Sequence, residues 1–459
     1  LSIATTATSR EARPALARSL RSRHLTMISI GGIIGAGLFV GSSAAIAATG
    51  PAVVLSYLLS GALMLLVMRM LAEMALARPD VGAFTEFARA GLGDRAGFVA
   101  GWLYWYFWIV VVPIEAIAGA NILTQWLPLP AWVLGLGLMA VMTAVNLLSA
   151  RSYGEFEFWF SSIKVAAIVV FIALAASWAL GFTSPGGPTL GNLVGHGFMP
   201  FGPAAVLAGT VAVFFSMTGA EMVTVAAAES NEPARAIARL SATVLLRILA
   251  FYAGSVFLIV CVVPWTAVVP GESPFTLALE HMSLSWAGTA MSAIILTAVL
   301  SCLNSAFFVC SRVLFVLAAQ GDAPRVLVRL NARLVPTRSV WLASACGVAG
   351  VLLATAAPQA VFAFLVNASG AVILFIYILV AAAQLRLRRA HEQAGRGRPE
   401  LAMWGFPWLS YAAIGGMLAV LLAMALTPAR RVELATSLFA LGVAVTAATL
   451  RARRCAAAA

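Results

Sequence analysis

Apolar residues in this chain gather into long runs separated by short polar segments. Twelve runs are long enough to cross a bilayer as helices, near 25–48, 51–76, 97–125, 131–149, 157–181, 204–228, 240–264, 286–318, 339–357, 360–385, 404–427 and 431–450. The first run carries an irregularity: four of the seven residues from Gly31 to Gly37 are glycine. Each interior glycine weakens a helix by about 1 kcal/mol relative to alanine, so this span opens easily in its middle. Backbone opened at membrane depth must be buried in protein or line a cavity, because lipid cannot satisfy its polar groups. Two readings fit: a transporter's binding site on a broken helix, or close helix–helix packing through small residues.

The sixth run has a matching feature. Phe214-Phe215-Ser216-Met217-Thr218-Gly219-Ala220-Glu221 puts small and polar residues, ending in a carboxylate, inside an apolar segment. Irregular segments in runs one and six suggest two five-helix inverted repeats, each giving one broken helix to a central site.

Composition and charge narrow the class. Of the 459 residues, 62% are hydrophobic and 10% charged, a balance that predicts a polytopic membrane protein. The net charge of +12 does not then require a nucleic acid. With the N-terminus inside, 23 of the 29 basic residues fall in inner segments, and only Arg430 and Arg431 lie outside. That asymmetry predicts both termini in the cytoplasm. Trp126, Trp132, Trp265, Trp286, Trp404 and Trp408 stand near span ends, as interfacial aromatics do. The first 24 residues are Arg-rich with no separate apolar core, so no cleavable signal is expected. The five cysteines show no CxxC and no partner histidines, so neither a disulfide framework nor a metal site is indicated. No phosphate-binding GxxxxGK[ST] and no catalytic triad occurs, which argues against an ATP-driven pump or a membrane enzyme.

A few ionisable groups lie deep. Lys164 is the chain's only lysine, about two turns into the fifth run. Unlike arginine it can give up its proton when buried, which marks it for proton coupling; the alternative is snorkelling to the nearby inner face. Glu221 stands beside the suspected break in the sixth run, and intramembrane acids are functional candidates by default. Glu115 follows Pro113 in the third run and either meets a substrate amine or pairs with another helix. Arg69 and Glu73, four apart, read as a structural pair. Ser301, Asn304 and Ser305 on the eighth run either line a cavity or, the favoured reading, hydrogen-bond between helices. Glu155, Glu157 and Glu229 fall at inner loop edges and read as solvated or loop-pairing.

Several stretches together resemble the amino acid–polyamine–organocation transporter superfamily, and within it the bacterial amino acid transporter family that includes the γ-aminobutyrate (GABA) permease. They are Ser22-Arg23-His24-Leu25-Thr26-Met27 leading into Gly31–Gly41, Met68-Arg69-Met70-Leu71-Ala72-Glu73-Met74, Gly101-Trp102-Leu103-Tyr104-Trp105, Pro113-Ile114-Glu115-Ala116, Asn146-Leu147-Leu148-Ser149, Tyr153–Trp159, Gly219-Ala220-Glu221, Ala226–Ser230, Ser301-Cys302-Leu303-Asn304-Ser305 and Gly321-Asp322-Ala323-Pro324. The resemblance implies an all-α integral membrane protein of twelve helices with a LeuT-like 5+5 inverted repeat plus two C-terminal helices. The division would be a tail at 1–24, repeats at 25–181 and 204–385, extra helices at 404–450 and a tail at 451–459. It also implies proton-coupled import of a small amino acid across the bacterial inner membrane, GABA or a close analogue first. Proline, β-alanine, aromatic or basic amino acids, exchange, a non-transporting receptor and a channel are the alternatives. No cofactor beyond the coupling proton, no nucleic acid and no obligatory protein partner are expected. By this likeness the N–H groups of Gly35, Ala36 and Gly37 hold the substrate carboxylate. Carbonyls freed around Ile33, Phe215 and Thr218 accept its ammonium, Phe215 gates, and Ser216, Gly219 and Glu115 complete the site. Lys164 and Glu221 would carry the proton. Many relatives have serine where this chain has Ala36, so here only backbone would serve.

Overall fold

The computed structural model describes residues 33–78, 84–148, 150–222, 249–356, 358–395 and 397–458. The tail at 1–24, Gly31 and Gly32, the end of the sixth run, the start of the seventh and Glu229 lie outside them. Among the described residues the regular structure is helical, with no strand.

Seven stretches are long and apolar enough to cross a membrane, and four shorter apolar helices of 10–17 residues accompany them. The first stretch, Ala36–Ala77, has 42 residues, twice what one crossing needs. It comprises α1 (Ala36–Phe39), α2 (Gly41–Thr49) and, after a turn at Gly50–Ala52, α3 (Val53–Ala77). The turn depends on glycine. Gly50 has φ +66°, and a Cβ there would lie 2.7 Å from Pro200.

Next come α4 (Phe84–Leu92), α5 (Asp94–Leu123), α6 (Ala131–Asn146) and α7 (Ala150–Ala179). The second half holds α8 (Gly202–Met217), α9 (Leu249–Val262), α10 (Pro274–His281), α11 (Ser285–Ala319), α12 (Thr337–Leu353) and α13 (Pro358–Gln393). The chain ends with α14 (Trp408–Leu426) and α15 (Arg431–Ala458).

Burial separates a core from a rim. α5, α11 and α13 have 83%, 72% and 78% of their apolar windows inside the protein, against 39% and 22% for α14 and α15. α5 packs along α11 and α13, and α8 along α2, α3 and α13. Helices buried on all sides are uniformly apolar, so each buried polar side chain in this centre needs a partner. Trp286 and Trp408, at 75% and 76% exposure, face outward near helix ends.

Candidate functional site

The first interruption lies between Ile33 and Val40. Gly35 is extended and caps α1, and Leu38 N–H and Phe39 N–H return to the Gly35 carbonyl. Val40 breaks the helix again before α2. The Ala36 N–H donates to both carboxylate oxygens of Glu115, at 3.2 and 3.1 Å. A protein carboxylate thus already occupies a backbone N–H of this first turn. Gly35 leaves no room for a side chain, since its Cβ would lie 2.7 Å from Cys302 Cβ and 2.8 Å from Glu115 Oε1.

The second interruption ends α8. Thr218 is extended and Gly219 has φ +125°, a conformation suited to glycine. The hydroxyls of Ser216 and Thr218 turn back onto their own helix, donating to Val213 O at 2.9 Å and Phe214 O at 2.6 Å. Glu221 is fully buried and holds the break shut. It accepts from Gly219 N–H at 3.1 Å, from Tyr377 OH on α13 at 2.8 Å and from Tyr104 OH on α5 at 3.3 Å.

The two breaks meet. A Cβ on Gly37 would lie 2.6 Å from Ser216 Cα. Tyr252 OH on α9 reaches the carbonyls of Ile33 and Ser216 at 2.8 and 2.9 Å, tying one break to the other. Ile33, Gly37, Glu115, Phe215, Ser216 and Thr218 converge with Phe107, Trp108, Val111 and Cys302 around a space of about 10 Å3. By that measure there is room for about one water molecule. A larger solute enters only if Phe215, Trp108 or Glu115 moves. Gly35 and Ala36 stand behind Glu115, and Gly219 is the donor that meets Glu221. A second cavity of about 470 Å3, lined by Val40, Gly41, Ala118, Asn121, Gln125 and Glu272 among others, opens one helical turn along α5 from Glu115.

Lys164 lies on the other side of the first break. It is fully buried, and its Nζ donates to Ile34 O at 2.9 Å and Ser301 Oγ at 2.7 Å. Glu157 Oε1 is 3.8 Å away. This corrects the loop-edge reading of Glu157, which is fully buried and accepts from Ser161, Ser301 and Ser305. Snorkelling is likewise ruled out for Lys164 by its zero exposure. The pair lies two turns apart on α7, a spacing visible in the sequence. Tyr104, Tyr252 and Tyr377 carried no such signal, because their partners are distant in the chain.

Arg69 and Glu73 make no direct hydrogen bond to each other, although the Glu73 charge still acts on the guanidinium. Arg69 donates to Ala402 O at 3.0 and 2.8 Å and lies over Trp404, while Glu73 accepts from Gln384 and Met403 N–H. Both therefore clasp the segment leading into α14. Asn304 does bond across helices, accepting from Asn146 at 2.8 Å.

Two helix interruptions that meet inside an apolar helical bundle, each beside a buried carboxylate, are the arrangement expected of a membrane transporter. The fold agrees. The chain matches the crystal structure of the Eremococcus coleocola manganese transporter (mutant H236A) with TM-score 0.61 at 13% identity, covering 97% of this chain and 99% of that one. At that identity the likeness speaks for a LeuT-like transporter fold alone.

The Amino acid permease family model matches residues 24–449, and the protein belongs to that family. It is 42% identical over 428 residues to the gamma-aminobutyric acid permease of Bacillus subtilis, spanning 92% of this chain and 91% of that one. Identity to the Escherichia coli gamma-aminobutyric acid permease is 43% over 440 residues, 94% of this chain and 93% of that one. The aromatic amino acid transport protein AroP of Corynebacterium glutamicum is 39% identical over 417 residues, 89% and 90% of the two chains.

Proposed function

We propose that the protein imports a small amino acid with a proton by alternating access, and that GABA is the first substrate to test. The carrying observation is the Glu115 carboxylate on the Ala36 N–H. A backbone donor at the start of a helical turn favours a carboxylate, and the substrate's own carboxylate is the natural replacement. Entry then displaces Glu115, and protonation of Glu115 would weaken the competitor and link uptake to the proton. Lys164 with Glu157, and Glu221, are the remaining groups able to exchange a proton between outward- and inward-open forms. Tyr252 OH has one hydrogen to share between the Ile33 and Ser216 carbonyls, which leaves lone pairs on both for the substrate ammonium.

The names of the relatives support GABA for this chain. The architecture proposed is twelve spans in two inverted five-helix repeats followed by α14 and α15. The arginine asymmetry supports cytoplasmic termini in a bacterial inner membrane.

Uptake into proteoliposomes with a panel of competing amino acids tests this. GABA should compete best, and an imposed inward proton gradient should drive accumulation. Uptake indifferent to that gradient would remove symport, and best competition by an aromatic amino acid would replace the substrate.

A further inference from the structure

Away from the helix breaks, at the Arg-rich end of the bundle, α3 and the polar extension of α13 part around a cavity of about 160 Å3. Glu73, Arg78, Arg388, His391 and Pro399 contribute to its wall. Two buried nitrogens there, Arg388 Nη1 and His391 Nε2, have no hydrogen-bond partner among the described residues. Arg388 is only 8% exposed. Its Nε donates to Glu392 at 2.7 Å, but Glu73 stands 3.6 Å from Nη1, outside hydrogen-bond reach. The Glu73 oxygens are engaged by Gln384 and the Met403 N–H. A buried guanidinium N–H left unmade is costly, and an anion in the cavity would relieve it.

The charges favour the same ligand. Arg398 borders an adjoining open cleft that also reaches Arg388 and Glu392. Arg78, Arg388 and Arg398 against Glu73 and Glu392 leave one positive charge, before His391 is counted. A phosphodiester carries one negative charge, and its oxygens suit the guanidinium fork. The level also fits. Trp404 and Trp408, 41% and 76% exposed, lie at this end of the bundle, where aromatic side chains mark the headgroup region.

We propose that this cavity is a phosphate-anion site, with the headgroup of an anionic phospholipid as the expected source. Basic pockets between membrane helices on the cytoplasmic side are suited to such headgroups. The lipid source rests on the membrane orientation proposed above, while the anion site does not depend on which solute is transported.

Thermal unfolding of the purified full chain in a zwitterionic detergent tests it, with short-chain phosphatidylglycerol, the matching phosphatidylcholine and inorganic phosphate as ligands. Phosphatidylglycerol should raise the midpoint of the wild type. The double variant Arg78→Gln/His391→Ala, whose residues are exposed or half-buried, should keep its lipid-free midpoint and need at least tenfold more lipid. Inorganic phosphate that protects the wild type and not the variant would support the site and name a soluble anion as its ligand. An equal phosphatidylglycerol response in both proteins, or phosphatidylcholine acting as strongly as phosphatidylglycerol, overturns the proposal.

Discussion

Replacing Glu115 by glutamine separates the two roles open to that side chain. If Glu115 competes with the substrate for the Ala36 N–H, weakening it should strengthen binding. The Ala36 N–H reaches both oxygens, at 3.2 and 3.1 Å, in a site 1% exposed. A hydrogen bond to a charged group contributes about 1.5–3 kcal/mol, and a neutral one about 0.5–1.5. Glutamine therefore gives up about 1 kcal/mol, and the substrate's dissociation constant should fall about fivefold. Wild-type binding should also strengthen as pH falls, because a protonated Glu115 releases its hold, and Glu115→Gln should lose most of that dependence. Equilibrium binding of the best substrate from the uptake panel, by scintillation proximity on purified protein at several pH values, measures both effects. A dissociation constant that rises tenfold in Glu115→Gln would refute the reasoning and return Glu115 to the role of ammonium partner.

Lys164→Ala should cost about 3–5 kcal/mol of stability, because it strands the buried Glu157 carboxylate. Lys164→Met with Glu157→Gln should recover most of that in thermal unfolding, yet show uptake that no longer responds to a proton gradient. Gly37→Ala should cut uptake more than tenfold in transport assays, since its Cβ meets the Ser216 backbone at 2.6 Å. Gly41→Ala, whose nearest contact is an ordinary 3.6 Å, should be tolerated. Tyr252→Phe should lower stability by about 1 kcal/mol through the one hydrogen bond it removes, read as a lower unfolding midpoint. On α4, burial lifts the Glu86 carboxyl above its ordinary value, against the opposing pull of Arg89. The folded protein therefore holds that proton more tightly than the unfolded chain. This contribution to stability is full at low pH and is lost as pH rises through the raised value, so Glu86→Gln should flatten that part of a midpoint-against-pH curve.

The apolar runs carried the all-helical membrane class because spanning length is fixed by the bilayer, and a run of sufficient length is read directly. The interruptions were legible for a similar reason. Gly35, Gly37 and Gly219 weaken helices locally, and their effect needs no partner to be seen. Lys164 stood out because no other lysine exists. What joins these residues was hidden. Glu157 stands at the start of its apolar run and so reads as a loop edge, but α7 begins earlier, at Ala150, and carries Glu157 inside the protein. Arg69 and Glu73 sit at a pairing distance on one helix, but the competing partners at Ala402 and Met403 are more than 300 residues away. Tyr252 ties two breaks from a third helix, and only packing reveals that.

Ala36 presents a peptide N–H where a hydroxyl would have been a point of variation. A contact made by the main chain does not depend on side-chain chemistry, although Ala36 is fully buried and its glycine neighbours leave no room for a Cβ. Where the solute's carboxylate takes the place of Glu115, as proposed, its hold at that end does not depend on side-chain chemistry. Under that proposal Phe107, Trp108 and Phe215, which line the small space beside it, are the side chains whose replacement would change which solute fits.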